Sequence, residues 1–136
     1  MNNPINQTHS VNFEVRDYEC DMQGIVNNAV YQNYLEHARH QFIHSKGLDF
    51  AEITSQGINL VLTKAELDYK RSLKSNDRFY ITTTAKQVSK LKIAFYQEIY
   101  LTDSKQLMLK AKMTVASTTN TGKPILFKQA DKLFEL

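Results

Sequence analysis

Asp21, Gly24, Asn27 and Asn28 fall in one short stretch, Asp-Met-Gln-Gly-Ile-Val-Asn-Asn, which runs directly into a helical pattern. An acidic side chain ending an extended segment, a glycine turn and a helix N-terminus then meet at one place, and the first N–H groups of a helix have no partner inside it. That pairing suits acyl transfer. The carboxylate of Asp21 attacks a carbonyl or activates water, and aimed N–H groups hold the oxyanion that develops on a thioester carbonyl. Attack through an acyl anhydride and base catalysis on water both need Asp21 ionised and within reach, so the residue types leave the two open.

Two elements must position these groups. Residues 11–18 alternate Val11, Phe13 and Val15 against Asn12, Glu14 and Arg16, a half-buried strand that delivers Asp21 to the turn. From Asn28 the period becomes helical, with Tyr31, Tyr34, Leu35, Ala38, Phe42 and Ile43 on one stripe. Asn27 or Asn28 suits the N-cap and Gly47 the stop, giving a helix of roughly 28 Å that crosses a whole sheet. A short helical or irregular piece is expected over residues 49–56, with a turn at Gly57. Four strands follow, over residues 58–69, 77–88, 92–101 and 106–117, and their short polar links favour antiparallel hairpins. The fold class is α+β, one antiparallel sheet of about five strands wrapped around a long central helix.

Composition limits the function classes. A chain of 136 residues, 42% hydrophobic, fits a single domain over residues 1–136, with residues 1–10 flexible. The net charge of +3 comes from lysines spread along the chain, which implies no nucleic acid but accommodates a phosphate-bearing ligand. A single cysteine forms no intrachain disulfide, the N-terminus lacks a signal-peptide pattern, and no apolar run is long enough to span a membrane, so a cytoplasmic protein is expected.

The segment 15–39, VRDYECDMQGIVNNAVYQNYLEHAR, resembles the hotdog-fold acyl-CoA thioesterases of the 4-hydroxybenzoyl-CoA type. In that family an Asp, a Gly-containing turn and a helix carrying Tyr and Glu-x-Ala-Arg follow in this order. The element order over nearly the whole chain, Tyr69-Lys70-Arg71-Ser72 before Asp77, and the turn at Gly122-Lys123-Pro124 carry the resemblance further. Fatty-acyl relatives often have His-Val-Asn-Asn where this chain has Ile25-Val26-Asn27-Asn28, another branch often has His at the place of Asn28, and many have Pro at the place of Ser72. The resemblance implies Asp21 as the catalytic carboxylate and the backbone N–H near Asn28 as the oxyanion donor. It also implies a homodimer or homotetramer with the acyl site shared between chains. Edge-to-edge pairing of two sheets would remove open edges and form that groove, with residues 58–62 of a second copy lining it.

Gly24, Ile25, Val26 and Tyr31 are expected to contact substrate, and the apolar Met22, Ile25 and Val26 to exclude water from the turn. Coenzyme A needs cations, for which Lys70, Arg71 and Lys74 form one group and Lys90 with Lys92 another. No cofactor or metal is called for. His37, His40 and His44 have helical spacing but no zincin-type carboxylate, and read as a solvated face. Cys20 reads as a buried structural thiol, Glu36 and Arg39 as pairing with each other or with the sheet edge, Tyr31 and Tyr34 as core with hydroxyls able to face an acyl tunnel. The leading function is hydrolysis of an acyl-CoA. The alternatives are a thioesterase acting on acyl carrier protein, a non-catalytic acyl-CoA or fatty-acid binding protein, and, least supported for want of a histidine in the turn, a dehydratase.

Overall fold

The computed structural model describes residues 8–134. Its elements are β1 (His9–Glu14), α1 (Asn28–Ser45), α2 (Phe50–Ser55), β2 (Asn59–Tyr69), β3 (Arg78–Ser89), β4 (Lys92–Leu101) and β5 (Leu107–Thr118), with 3-10 turns at Asp17–Glu19 and Lys128–Phe134. The five strands form one antiparallel sheet in the order β1-β3-β4-β5-β2.

The expected alternation holds in β3, β4 and β5, whose inward residues Phe79, Ile81, Ile93, Phe95, Ile99, Leu109, Ala111, Met113 and Val115 are buried. Every residue of the anticipated helical stripe is buried with them. This is the α+β hotdog arrangement, with α1 packed against the inner face of the sheet.

The helix bounds have local causes. The Asn27 side chain accepts from the Ala29 N–H at 3.3 Å, so Asn27 is the N-cap and Asn28 the first helical residue. At the other end Gly47 adopts φ +82°, where a side chain would be strained. Its N–H donates to His44 O, and the Leu48 N–H to Ile43 O, which satisfies two end carbonyls.

The first strand differs from expectation. It begins at His9 and ends at Glu14, because residues 17–19 tighten into a 3-10 turn closed by the Glu19 N–H on Arg16 O. His9 and Ser10 pair with Thr83 and Thr82, so the flexibility expected of residues 1–10 does not extend to them; residues 1–7 lie outside the described residues.

The two ends of the sheet are distinct. Glu14, Arg78, Leu101, Leu107 and Tyr69 share one end, and α1 starts beside it, where the Val26 N–H donates to Leu73 O. Asn59, Ser89, Lys92 and Thr118 share the other, toward which α1 runs.

Candidate active site

Three short backbone segments build the turn that holds Asp21. Residues 19–21 pair with residues 25–27 through Asp21 N–H to Ile25 O at 2.9 Å and Asn27 N–H to Glu19 O at 3.0 Å. Residues 24–26 pair in turn with residues 73–75, through Val26 N–H to Leu73 O and Ser75 N–H to Gly24 O. Between them Gly24 turns at φ +81°, a left-handed value that favours glycine even though open space surrounds it.

The Asp21 side chain is exposed, and its Oδ1 accepts from the Gln23 N–H at 2.8 Å and the Ile25 N–H at 3.4 Å. A carboxylate anchored this way is held in orientation by its own turn while staying open to solvent. Asn28, also exposed, opens α1 directly after this turn, and its N–H belongs to the first helical turn, where the helix supplies no acceptor.

Supports for this turn come from Tyr31 and Tyr34, whose hydroxyls were expected to be able to face an acyl tunnel, and from Glu19, which spacing does not mark. The Leu73 N–H donates to the Tyr31 hydroxyl at 2.9 Å, and the Tyr34 hydroxyl donates to Glu19 Oε1 at 2.8 Å. Glu19 also accepts from the Arg16 N–H at 2.8 Å. Burial, and then the Glu19 carboxylate, hold the Tyr34 hydroxyl far above its ordinary pKa, so it stays a proton donor. Asp17 and Ser75 are joined by a side-chain hydrogen bond that closes the same corner. Glu19 carries no sequence signal beyond being one of several carboxylates near the turn.

Of the apolar residues expected to dry the turn, Val26 is buried and Ile25 half-buried, but Met22 projects fully into solvent. Cys20 is half-buried, with burial the first cause raising its thiol pKa and carboxylates adding to it, so the unreactive thiol form is favoured.

The expected cations do not gather in one chain. Lys70 and Arg71 follow β2 at the Asp21 end, both N–H groups donating to Met108 O, and Lys70 pairs with Asp68 at 2.7 Å. Lys74 adjoins Ile25 directly. Lys90 lies in the β3–β4 hairpin at the opposite end of the sheet.

Arg39 departs most from expectation. It is 8% exposed and makes no ion pair with Glu36; its Nη1 donates instead to Gln97 Oε1 at 3.2 Å. Gln97, fully buried in β4, donates from Nε2 to Leu35 O and Thr83 Oγ1. The even spacing of β4 puts Gln97 on its inner face, but only the tertiary packing shows what it binds. His40 packs edge-on against Phe50 with ring centroids 4.5 Å apart, while His37 and His44 are exposed.

Two concavities border α1. A broad cleft of about 710 Å³ lies beside β1, lined by Glu14, Arg16, Asp17, Tyr34 and His37 among others, and Asp21 is not part of it. A cavity of about 80 Å³ lies on the other flank, between Glu36, Arg39, His40 and Ile43 of α1, Phe50 of α2, and Leu60, Leu62, Phe95 and Val115 of the sheet.

Comparison with known proteins agrees with this architecture. The model of the thioesterase-like superfamily matches residues 15–130. The Arabidopsis thaliana protein named acyl-acyl carrier protein thioesterase ATL2, chloroplastic, is 35% identical over 116 residues, which cover 85% of this chain and 62% of that protein. A second Arabidopsis thaliana protein of the same description is 32% identical and covered to 64%, so the chain spans less than two thirds of these curated relatives. Among solved structures, a hypothetical protein from Aquifex aeolicus superposes with a TM-score of 0.85 at 27% identity, covering 92% of this chain and 98% of that one. A 1,4-dihydroxy-2-naphthoyl-CoA thioesterase from Synechocystis shares the fold with a TM-score of 0.84 at 22% identity, covering 90% of each chain.

Proposed function

The chain belongs to the thioesterase-like superfamily, and on that premise we propose that it hydrolyses an acyl thioester to the free acid and a thiol. The observation that carries the reading is the Asp21 turn, a solvent-open carboxylate anchored by backbone N–H groups next to the start of α1. In the reaction the thioester carbonyl oxygen faces the Asn28 N–H, where the helix dipole and unpaired N–H groups favour developing negative charge. Asp21 either attacks the carbonyl carbon or takes a proton from the attacking water. The C–S bond then breaks and the thiolate leaves, to be protonated as the free thiol; where Asp21 attacked, water then cleaves the acyl anhydride, which releases the free acid and restores the carboxylate. Gly24, Ile25 and Val26 form the wall beside the reacting carbonyl. Tyr31 acts from beneath, through its hydrogen bond to Leu73, and holds the turn in place.

The active unit is at least a dimer joined along β2. This edge strand is 11 residues long and, among the described residues, pairs on one side only, with Val61, Leu62 and Tyr69 exposed. Such an edge invites a second copy. Antiparallel pairing about a two-fold axis sets the Asn59 end of one β2 beside the Tyr69 end of the other. Residues 60–62 of the second copy, with the cavity behind them, then come to the Asp21 turn. Lys90 reaches the thioester's carrier only from a second copy, whereas Arg71 and Lys74 reach it from the same chain.

Coenzyme A is the carrier that the family resemblance implies. A carrier-protein thioester is the second reading, favoured by the description of the two Arabidopsis thaliana relatives. The test is thiol release from short, long and aromatic acyl thioesters of both carriers, run beside Asp21→Ala, with particle mass measured by light scattering. Turnover on either carrier that disappears in the variant supports the reading; binding of acyl-CoA without turnover on any member replaces it with a binding role.

A further inference from the structure

The end of the sheet farthest from Asp21 carries exposed charge of one sign. Two segments meet there: residues 84–96, around the β3–β4 turn, and residues 114–130, which run from β5 through the turn at Gly122 into the last 3-10 turn. Backbone hydrogen bonds fasten them together, from the Ser117 N–H to Leu91 O and from the Ile125 N–H to Ser117 O. Neither segment contains an aspartate or glutamate, yet together they carry Lys86, Lys90, Lys92, Lys123 and Lys128, all exposed. Among the described residues, none of these lysines makes an ion pair within 4.0 Å. The Asp21 end is built differently, with Lys70, Lys74 and Arg78 interspersed among Asp17, Glu19, Asp68 and Asp77.

Lysines that serve solubility alone are mixed with carboxylates, because charges of one sign repel one another. Here apolar side chains stand among them in the same two segments, Val88 being 54% and Leu126 50% exposed. Apolar contacts surrounded by one charge suit a macromolecular partner of the opposite charge. A nucleotide, with its few phosphates, is better held by groups that converge on one point, whereas these lysines are spread over a hairpin, a second turn and the start of a 3-10 turn. Their place in the sheet adds to this. Ala116 pairs with both Lys92 and Val61, so Lys92 stands two strands, about 10 Å, from the β2 edge. In the antiparallel β2 pairing, this end of one copy lies beside the Asp21 turn of the other.

We infer that the lysine-rich end is the docking surface for an acidic carrier protein, which delivers its thioester to the Asp21 turn of the neighbouring copy. The inference rests on the thioesterase reading and on the pairing of β2 edges, and it selects a protein carrier over coenzyme A. The lysines speed encounter and orient the carrier, Val88 and Leu126 supply apolar contact, and neither group takes part in bond breaking.

The test measures kcat/KM for one acyl group carried by acyl carrier protein and by coenzyme A. The variant with Lys86→Glu, Lys123→Glu and Lys128→Glu should lose about tenfold or more on the carrier protein while its value on coenzyme A stays within about twofold of the parent. Glutamine at the same three positions serves if the reversed charges prevent folding, and should give a smaller fall in the same direction. A carrier-protein rate that a folded variant leaves unchanged overturns the proposal, as does an equal fall on both carriers. Calorimetric titration with acyl carrier protein separates this proposal from the thioesterase reading. Binding that the variant loses, with no thioester of either carrier hydrolysed, overturns the thioesterase reading and leaves the docking surface standing; hydrolysis without lysine-dependent binding or turnover does the reverse. Lysine-dependent attachment to vesicles of phosphatidylglycerol and phosphatidylcholine in equal parts, with no binding of the carrier protein, overturns the proposal in favour of a lipid surface.

Discussion

The Asp21 turn and the Arg39–Gln97 cluster are both places where the chain holds a charge, and they are built in opposite ways. Asp21 is exposed, and its carboxylate is tied to N–H groups two and four residues along the same chain. Arg39 is buried and tied across the core to a side chain on β4, 58 residues away. A local, wet arrangement contributes little to folding, because water replaces any contact that is lost. A long-range, dry one is inseparable from the core, because nothing replaces it. Functional and structural sensitivity should therefore separate between the two.

The largest effect tests the wet side. Asp21→Ala should lower kcat by about 10² to 10⁴ while shifting stability by no more than about 1 kcal/mol. Thiol-release kinetics and a thermal melt on one preparation check it; a large loss of stability with proportionate loss of activity would make Asp21 a turn cap only. On the dry side, Gln97→Leu keeps the volume but leaves the guanidinium, the Leu35 carbonyl and the Thr83 hydroxyl without their partner. Urea unfolding should show a loss of about 3 kcal/mol.

The supports between the two regions should fall in between. Tyr31→Phe strands the buried Leu73 N–H and should cost about 1 to 2 kcal/mol in a denaturation curve, with a smaller loss of kcat as the turn loosens. Asn27→Ala removes the helix cap and should cost about 1 kcal/mol.

The smallest expected effect is acid sensitivity. Burial lowers the pKa of His9, with Lys46 adding to it, and burial lowers that of His40 as well, against an ordinary value of 6.5. The unfolded chain then binds protons before the folded one does. The stability that these neutral imidazoles contribute is fully present above about pH 6.5 and is lost as pH falls through their depressed folded values. A melting temperature that declines below that pH, less so in His9→Gln, is the expected result; the same decline in parent and variant would remove His9 from the account.

Much of the fold was readable because its periods are clean. The bounds expected for β4 match those observed, and β3 and β5 differ from expectation by a single residue at each end. The stripe on α1 and the glycine that ends it followed from spacing and from the left-handed φ that glycine tolerates. The first strand ends short of expectation because Glu19 caps its own 3-10 turn through the Arg16 N–H, a local competitor that alternation does not register. At the site, the turn, the glycine and the helix start were legible. The exposure of Met22 and the burial of Arg39 were not, because a residue's type states a preference for water or core without stating which neighbours cover it.

By itself the sequence determined the order and length of the elements, the residues facing the core, and the glycine turn that leads into α1. These depend on interactions a few residues apart, which spacing encodes. Tertiary structure alone decided that β2 lies at an edge beside β5, that Lys90 stands at the far end of the sheet from Asp21, and that Arg39 meets Gln97 in place of Glu36. Each of those depends on how distant segments compete for one sheet and one interior, and that competition is settled by the burial of all of them together.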